Sequence, residues 1–298
     1  MHKKIIAIVV MIPVLFTTSC ASIRINNSPK ETGAQEITPI PEPIISVIEG
    51  NEYCDDFLLD NIMHSSDNLA DLYYHLYVPE AYSGKEPYSL YIALPGYGAY
   101  YFDGEGTAAN ITGERFASNS RLYNEKMIVA APQLEDYANE LNLDDEEQLH
   151  AKQVIRLTQY LLNTYNIDHD KVYISGYSRG GEVMSLVCSE RPDLYTAALS
   201  VSSMWRGDVS VITHNHLPVY FVIGENDEYY SSEPFSRTYE EIVSAYKKEG
   251  LTDEIISNLV VLDIKGPDYF KSEEYDNQHS GAKLFAFDEP VMKWLVTY

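Results

Sequence analysis

Along most of the chain, short apolar runs alternate with longer segments in which apolar residues return every three or four positions. These are the two periods of strand and helix. Tyr88–Leu94 (YSLYIAL), 127–131 (MIVAA), 172–174, Ala197–Val201 (AALSV), 218–224 (PVYFVIG) and 259–264 (LVVLDI) are the apolar runs. The run at 218–224 is apolar on both faces, as a central parallel strand should be. Between the runs, 144–165, 182–190 and 235–248 carry helical spacing; acidic residues open the first, and Gly250 follows the last, as helix starts and stops do. A further amphipathic segment covers 114–124, and 289–296 reads as a terminal helix. Residues 57–59 and 72–78 read as antiparallel edge strands, the second broken by Pro79. Strands alternating with helices of this length predict an α/β fold: a mainly parallel sheet covered on both faces, with ligand at the carboxyl ends of its strands.

The amino-terminal stretch is of another character. His2, Lys3 and Lys4 precede an apolar run over 5–16, too short to span a bilayer comfortably and placed where a secretory h-region belongs. It ends in Phe16-Thr17-Thr18-Ser19-Cys20. That ending resembles a bacterial lipoprotein signal, with Thr17 where leucine is commoner. The resemblance implies removal of 1–19 and a lipidated Cys20, with acyl chains holding an otherwise soluble domain at a membrane on the extracytoplasmic side of the cell envelope. Residues 20–50 are polar and carry Pro29, Pro39, Pro41 and Pro43, the composition of an extended tether. Residues 51–298 then form one domain with enough chain for a substantial core.

Charge narrows the partners. With 21 basic and 45 acidic residues the net charge is −24, which repels phosphate backbones and excludes nucleic acid as a natural partner. It leaves neutral esters and sugars open. Cys54 and Cys188 are the remaining cysteines beyond Cys20; pairing is chemically open to them in an oxidising compartment, but Cys188 sits in an apolar helix and suits a small buried hydrophobe.

The chemistry is concentrated at 171–181, KVYISGYSRGG. A short strand enters Gly176-Tyr177-Ser178-Arg179-Gly180, a G-x-S-x-G pentapeptide, and a helix leaves it, which is the context of a nucleophile elbow. The turn lifts the Ser178 hydroxyl above the sheet and places the Arg179 amide at a helix start, where it can stabilise an oxyanion. A serine hydroxyl needs a base, and the base an orienting carboxylate. Asp227 follows the core strand at 218–224, and His279 follows the last strand, so both lie on loops at one sheet edge in the order serine, acid, histidine. Glu225 and Glu228 are rival acids, with Asp208 and Asp263 weaker ones. His64, His75, His150 and His169 suit surface or packing roles. His214 and His216 lack a convincing third ligand, so neither metal nor cofactor is expected. The second oxyanion donor is expected from the loop after Tyr88–Leu94, at the Tyr97 amide.

GYSRGG, GEND and NQHSG in this order resemble the serine α/β-hydrolase superfamily. The layout over about 70–298 is similar to secreted esterases of the polyhydroxybutyrate-depolymerase, feruloyl-esterase and prolyl-oligopeptidase-like groups. The resemblance implies an α/β-hydrolase fold and acyl transfer, with Ser178 as nucleophile, His279 as base and Asp227 as its support. The short stretch 202–217 leaves no room for a large cap, so an open cleft is expected. Tyr100, Tyr101, Tyr177 and Trp205 are candidate substrate contacts, suited to a sugar or phenolic group. A carboxylic-ester hydrolase acting on small or glycan-linked esters is therefore the first reading. A serine peptidase is the second, and a non-catalytic surface-anchored binding protein the third.

Overall fold

The structure, a computed structural model, describes residues 61–64, 70–96, 116–117, 119–134, 141–271 and 277–298, and the backbone alone of 44–47 and 59–60. Nine strands among them form one sheet: β1 (Ile44–Val47), β2 (Leu59–His64), β3 (Leu72–Tyr77), β4 (Tyr88–Leu94), β5 (Met127–Pro132), β6 (Ile167–Tyr177), β7 (Ala197–Val201), β8 (Val219–Gly224) and β9 (Val260–Lys265). Their spatial order is β1-β2-β3-β5-β4-β6-β7-β8-β9. β1 to β3 pair antiparallel, β3 pairs antiparallel with β5, and all pairings from β5 to β9 are parallel.

The period-2 pattern of the strands divides the core into two layers. In β4, Leu90, Ile92 and Leu94 face one layer, while Tyr91 and Ala93 face the other. β8 alternates in the same way, with Val219, Phe221 and Ile223 on the first side and Tyr220 and Val222 on the second. The first layer is covered by α1 (Leu143–Thr164), α2 (Arg179–Glu190) and α4 (Glu233–Lys248), which contribute Val154, Leu161, Val183, Val187, Phe235 and Tyr246. The second is covered by a 3-10 segment, Ser280–Phe287, and α6 (Glu289–Leu295), through Phe285, Val291 and Leu295. Helices therefore lie on both faces, as expected for buried parallel strands.

Two short helices, α3 (Val209–His214) and α5 (Asp253–Leu259), lie between the later strands. Each begins at a side-chain cap: Asp208 accepts from the Ser210 N–H, and Thr252 from the Ile255 N–H, satisfying amides that the first turn leaves without carbonyl partners. The sheet begins earlier than the composition indicates. β1 lies within the stretch expected to be tether, because Ile-Ile-Ser-Val after Pro43 is itself a short β-forming run. Among the described residues no helix is long and apolar enough to cross a membrane.

Candidate active site

The site begins at the end of β6. Ser178 has φ +54° and ψ −126°, a region costly for a residue with a side chain. The surrounding glycines hold it there. A Cβ on Gly176 would lie 2.2 Å from the Gly180 carbonyl oxygen, and one on Gly180 would lie 2.2 Å from the Pro95 carbonyl oxygen. The chain thus reverses against itself and against the loop that leaves β4. Ser178 is clamped on both sides: its N–H donates to the Val201 carbonyl at 3.0 Å, and its carbonyl accepts from the Ser203 hydroxyl at 2.6 Å.

Ser178, His279 and Asp227 come together over the carboxyl ends of β6, β8 and β9. His279 Nε2 lies 3.0 Å from Ser178 Oγ, and Nδ1 lies 2.9 Å from Asp227 Oδ2. The distances suit an Nδ1–H donated to Asp227, leaving Nε2 to accept the serine proton. Asp227 and His279 are 4% and 7% exposed. Burial by itself would push the Asp227 carboxyl up. The hydrogen bond and charge of His279, with the Tyr230 and Tyr229 amides, outweigh it and hold the group below the usual carboxylate range. Those two N–H groups donate to Oδ1 at 3.0 Å each, so both oxygens of the acid are engaged.

A clasp holds the acid loop to the histidine loop. Asn226 N–H donates to Gln278 Oε1 at 2.8 Å, while Glu228 Oε2 accepts from the Gln278 and His279 amides at 2.9 and 3.2 Å. The Tyr177 hydroxyl donates to the His279 carbonyl at 3.1 Å. Three tyrosine rings surround the imidazole, Tyr177, Tyr229 and Tyr230, with centroids 5.2, 4.6 and 5.6 Å away.

Behind the elbow lies a charged cluster. Arg179, the residue after Ser178, pairs with Glu146 at 2.7 Å. Arg206 meets Glu182 at 3.4 Å, Glu147 at 3.6 Å, and Asp144 more closely still. Glu182 also accepts from the Tyr230 hydroxyl at 2.5 Å. Burial, and then the Glu182 carboxylate, push the Glu147 carboxyl up to about 7 against the pull of Arg206. Raising one carboxyl in this way lets two acids share a buried site with Arg206.

Several sequence expectations have other outcomes. Trp205 is 8% exposed and packs edge-on against Phe221 in the core, so it is not a cleft residue. Tyr177 is likewise buried, holding His279 rather than facing outward. Asp208 caps α3, and Asp263 accepts from the Tyr220 hydroxyl and pairs with Lys265. Cys188, by contrast, is a free, buried thiol, the small buried hydrophobe expected from its place in an apolar helix. Among the described residues no group of three His, Cys, Asp or Glu is placed to hold a metal. Tyr97, Tyr100, Tyr101, Cys20 and Cys54 lie outside the described residues. The parts played by Glu228, Gln278, Tyr229, Tyr230, Glu182 and Ser203 emerge only in three dimensions. The one hint at sequence level is the density of polar and aromatic side chains in GENDEYY directly after a buried strand.

The fold is the α/β-hydrolase fold. Residues 135–247 match the prolyl oligopeptidase family, a span that contains Ser178 and Asp227 and ends before His279. No curated protein matches the chain. Among similar solved structures, a thermostable esterase is 21% identical with a TM-score of 0.61, covering 80% of this chain, which in turn spans 62% of that protein's length. Esterase 2 of Thermogutta terrifontis, phosphoramylated by tabun, is 15% identical with a TM-score of 0.52, over 89% of this chain and 100% of that one. A dienelactone hydrolase from Anabaena variabilis is 15% identical with a TM-score of 0.50, over 87% and 99%. At these identities the shared property is the fold.

Proposed function

We propose that this protein is a serine hydrolase that cleaves carboxylic esters through an acyl-enzyme. The observation that carries the reading is the unbroken chain from Ser178 Oγ to His279 Nε2 at 3.0 Å and from Nδ1 to Asp227 at 2.9 Å. In the first half-reaction Ser178 Oγ attacks the ester carbonyl carbon, and its proton passes to His279 Nε2. The carbon–oxygen bond to the alcohol then breaks, and the alcohol leaves with the proton from Nε2. In the second, water attacks the acyl carbon, again giving its proton to His279, and Ser178 is released with its proton restored. Asp227 orients the imidazole and stabilises its cationic form throughout.

The developing oxyanion is assigned to the Arg179 amide at the first position of α2, with the Tyr97 amide as second donor. The contact of Pro95 with Gly180 supports the second assignment, since it brings the loop after β4 against the elbow. Small or glycan-linked esters, acetylated or phenolic, are the proposed substrates. The esterases and dienelactone hydrolase among the similar structures support that class. A lipid anchor at Cys20, with residence at the extracytoplasmic face of a membrane, is proposed from the signal-like amino terminus alone.

The match to the prolyl oligopeptidase family favours a second reading, a serine peptidase. Both readings use the same triad, and substrates separate them. Turnover of acetyl and feruloyl esters with little cleavage of prolyl amides supports the esterase; the opposite ranking supports the peptidase. In either case Ser178→Ala should lower kcat by roughly 10⁴-fold or more.

A further inference from the structure

Three tyrosines ring the His279 imidazole, and they are not equivalent. Tyr177 is buried and its hydroxyl donates to the His279 carbonyl; Tyr230 is half-buried and its hydroxyl donates to Glu182. Both have structural work to do. Tyr229 is 75% exposed, yet its ring centroid is the nearest of the three, 4.6 Å from the imidazole and tilted by 43°. Among the described residues its hydroxyl makes no hydrogen bond. Its backbone is not loose, because the Tyr229 N–H donates to Asp227 Oδ1 at 3.0 Å. The ring is thus a solvated aromatic surface held in register with the catalytic acid and base.

Its place relative to the chemistry assigns it a side of the substrate. Nε2 of His279 is the atom that returns a proton to the departing oxygen, so the leaving group must lie against the outward side of the imidazole. The acyl group lies on the side of the Arg179 amide, at the start of α2. A ring beside the imidazole and open to solvent therefore meets the alcohol portion. A large exposed aromatic at such a position gains area by covering a flat apolar face, and ring-to-ring contact adds a preference for other rings.

Resting on the ester-hydrolase reading, we infer that Tyr229 is a specificity-determining residue that selects esters whose alcohol carries a ring, pyranosyl or aryl, over those of open-chain alcohols. The test compares benzyl acetate, methyl 6-O-acetyl-glucopyranoside and n-heptyl acetate, esters of primary alcohols that share one acyl group. The rate read is kcat/KM, which reports the step in which the alcohol departs.

In Tyr229→Ala, kcat/KM for the two ring-bearing esters should fall roughly five- to tenfold, while that for heptyl acetate changes less than about twofold. A fall for only one of the two rings would tell aryl from pyranosyl selection and would still support the inference. Tyr229→Phe should retain the ring preference, because the face and not the hydroxyl makes the contact. Benzyl butyrate should show the same loss as benzyl acetate, since the acyl side is untouched. A uniform fall on all esters would mean that Tyr229 only props His279, and an unchanged ratio would mean that it makes no contact; either result overturns the inference. Failure of the wild-type protein to hydrolyse any ester or react with a fluorophosphonate would instead sink the hydrolase reading itself, and the inference with it.

Discussion

Asp227 and Glu228 are neighbours in sequence, and their carboxylates serve different parts of one histidine. Asp227 accepts a hydrogen bond from the imidazole Nδ1–H, while Glu228 accepts from the backbone N–H groups of Gln278 and His279. Asp227→Asn should cost roughly 10³–10⁴-fold in kcat, since an amide in that place favours the wrong tautomer. Glu228→Ala should leave KM near its original value and lower kcat by about tenfold, because the histidine loop loses its clasp but keeps its ring partners. Glu228→Gln, which retains an acceptor oxygen, should restore most of the rate. Steady-state kinetics on one activated ester checks all three. The choice of Asp227 over Glu225 and Glu228 was legible from its place after a buried strand. The job of Glu228 was not, because it depends on a partner fifty positions away in the chain.

At the level of elements, the elbow is held by close approach of backbones. Gly180→Ala would bring a methyl group within 2.2 Å of the Pro95 carbonyl oxygen, a contact that neither rigid segment can relieve. The expected result is a loss of roughly 2–4 kcal/mol of stability, read as a lower midpoint in chemical denaturation. Glu147 on α1 and Glu182 on α2 both reach Arg206. Between the unfolded carboxyl value of about 4.3 and the folded value of about 7, the native state holds a proton that the unfolded chain has released. Stability should therefore fall as pH rises through that window, by roughly 1–3 kcal/mol. Thermal melts at about pH 5 and pH 8 should show the loss in the wild type and a flatter profile in Glu147→Gln. The strands β4, β5, β7 and β8 were readable from composition because each is apolar on both faces. α3, α5 and the 3-10 segment Ser280–Phe287 were not. The two helices are only six and seven residues long, too short for a helical period to stand out, and they depend on caps and tertiary packing.

Across the whole molecule, sequence order and spatial order combine to make the site. β6, β8 and β9 are parallel members of one sheet, so the segments that leave their carboxyl ends bring Ser178, Asp227 and His279 to one edge although they lie far apart in the chain. The alternation of strand and helix was sufficient to anticipate that edge and the triad upon it. The surroundings of the imidazole were not, because packing around His279 draws Tyr177 from the end of β6 and Tyr229 and Tyr230 from the segment after β8, and gives each a separate role. The 25 tyrosines of the chain offer no periodic sign of which would reach the site.

The central claim is that Ser178 is a nucleophile activated through His279 and Asp227. Covalent labelling by a fluorophosphonate, followed by mass spectrometry of the modified peptide, tests it most directly. A single phosphonylated residue is expected, at Ser178. Labelling should be abolished in Ser178→Ala and slowed by at least about 10³-fold in His279→Ala and Asp227→Asn. Absence of labelling in the folded wild-type protein, or equal labelling rates in wild type and His279→Ala, would contradict it.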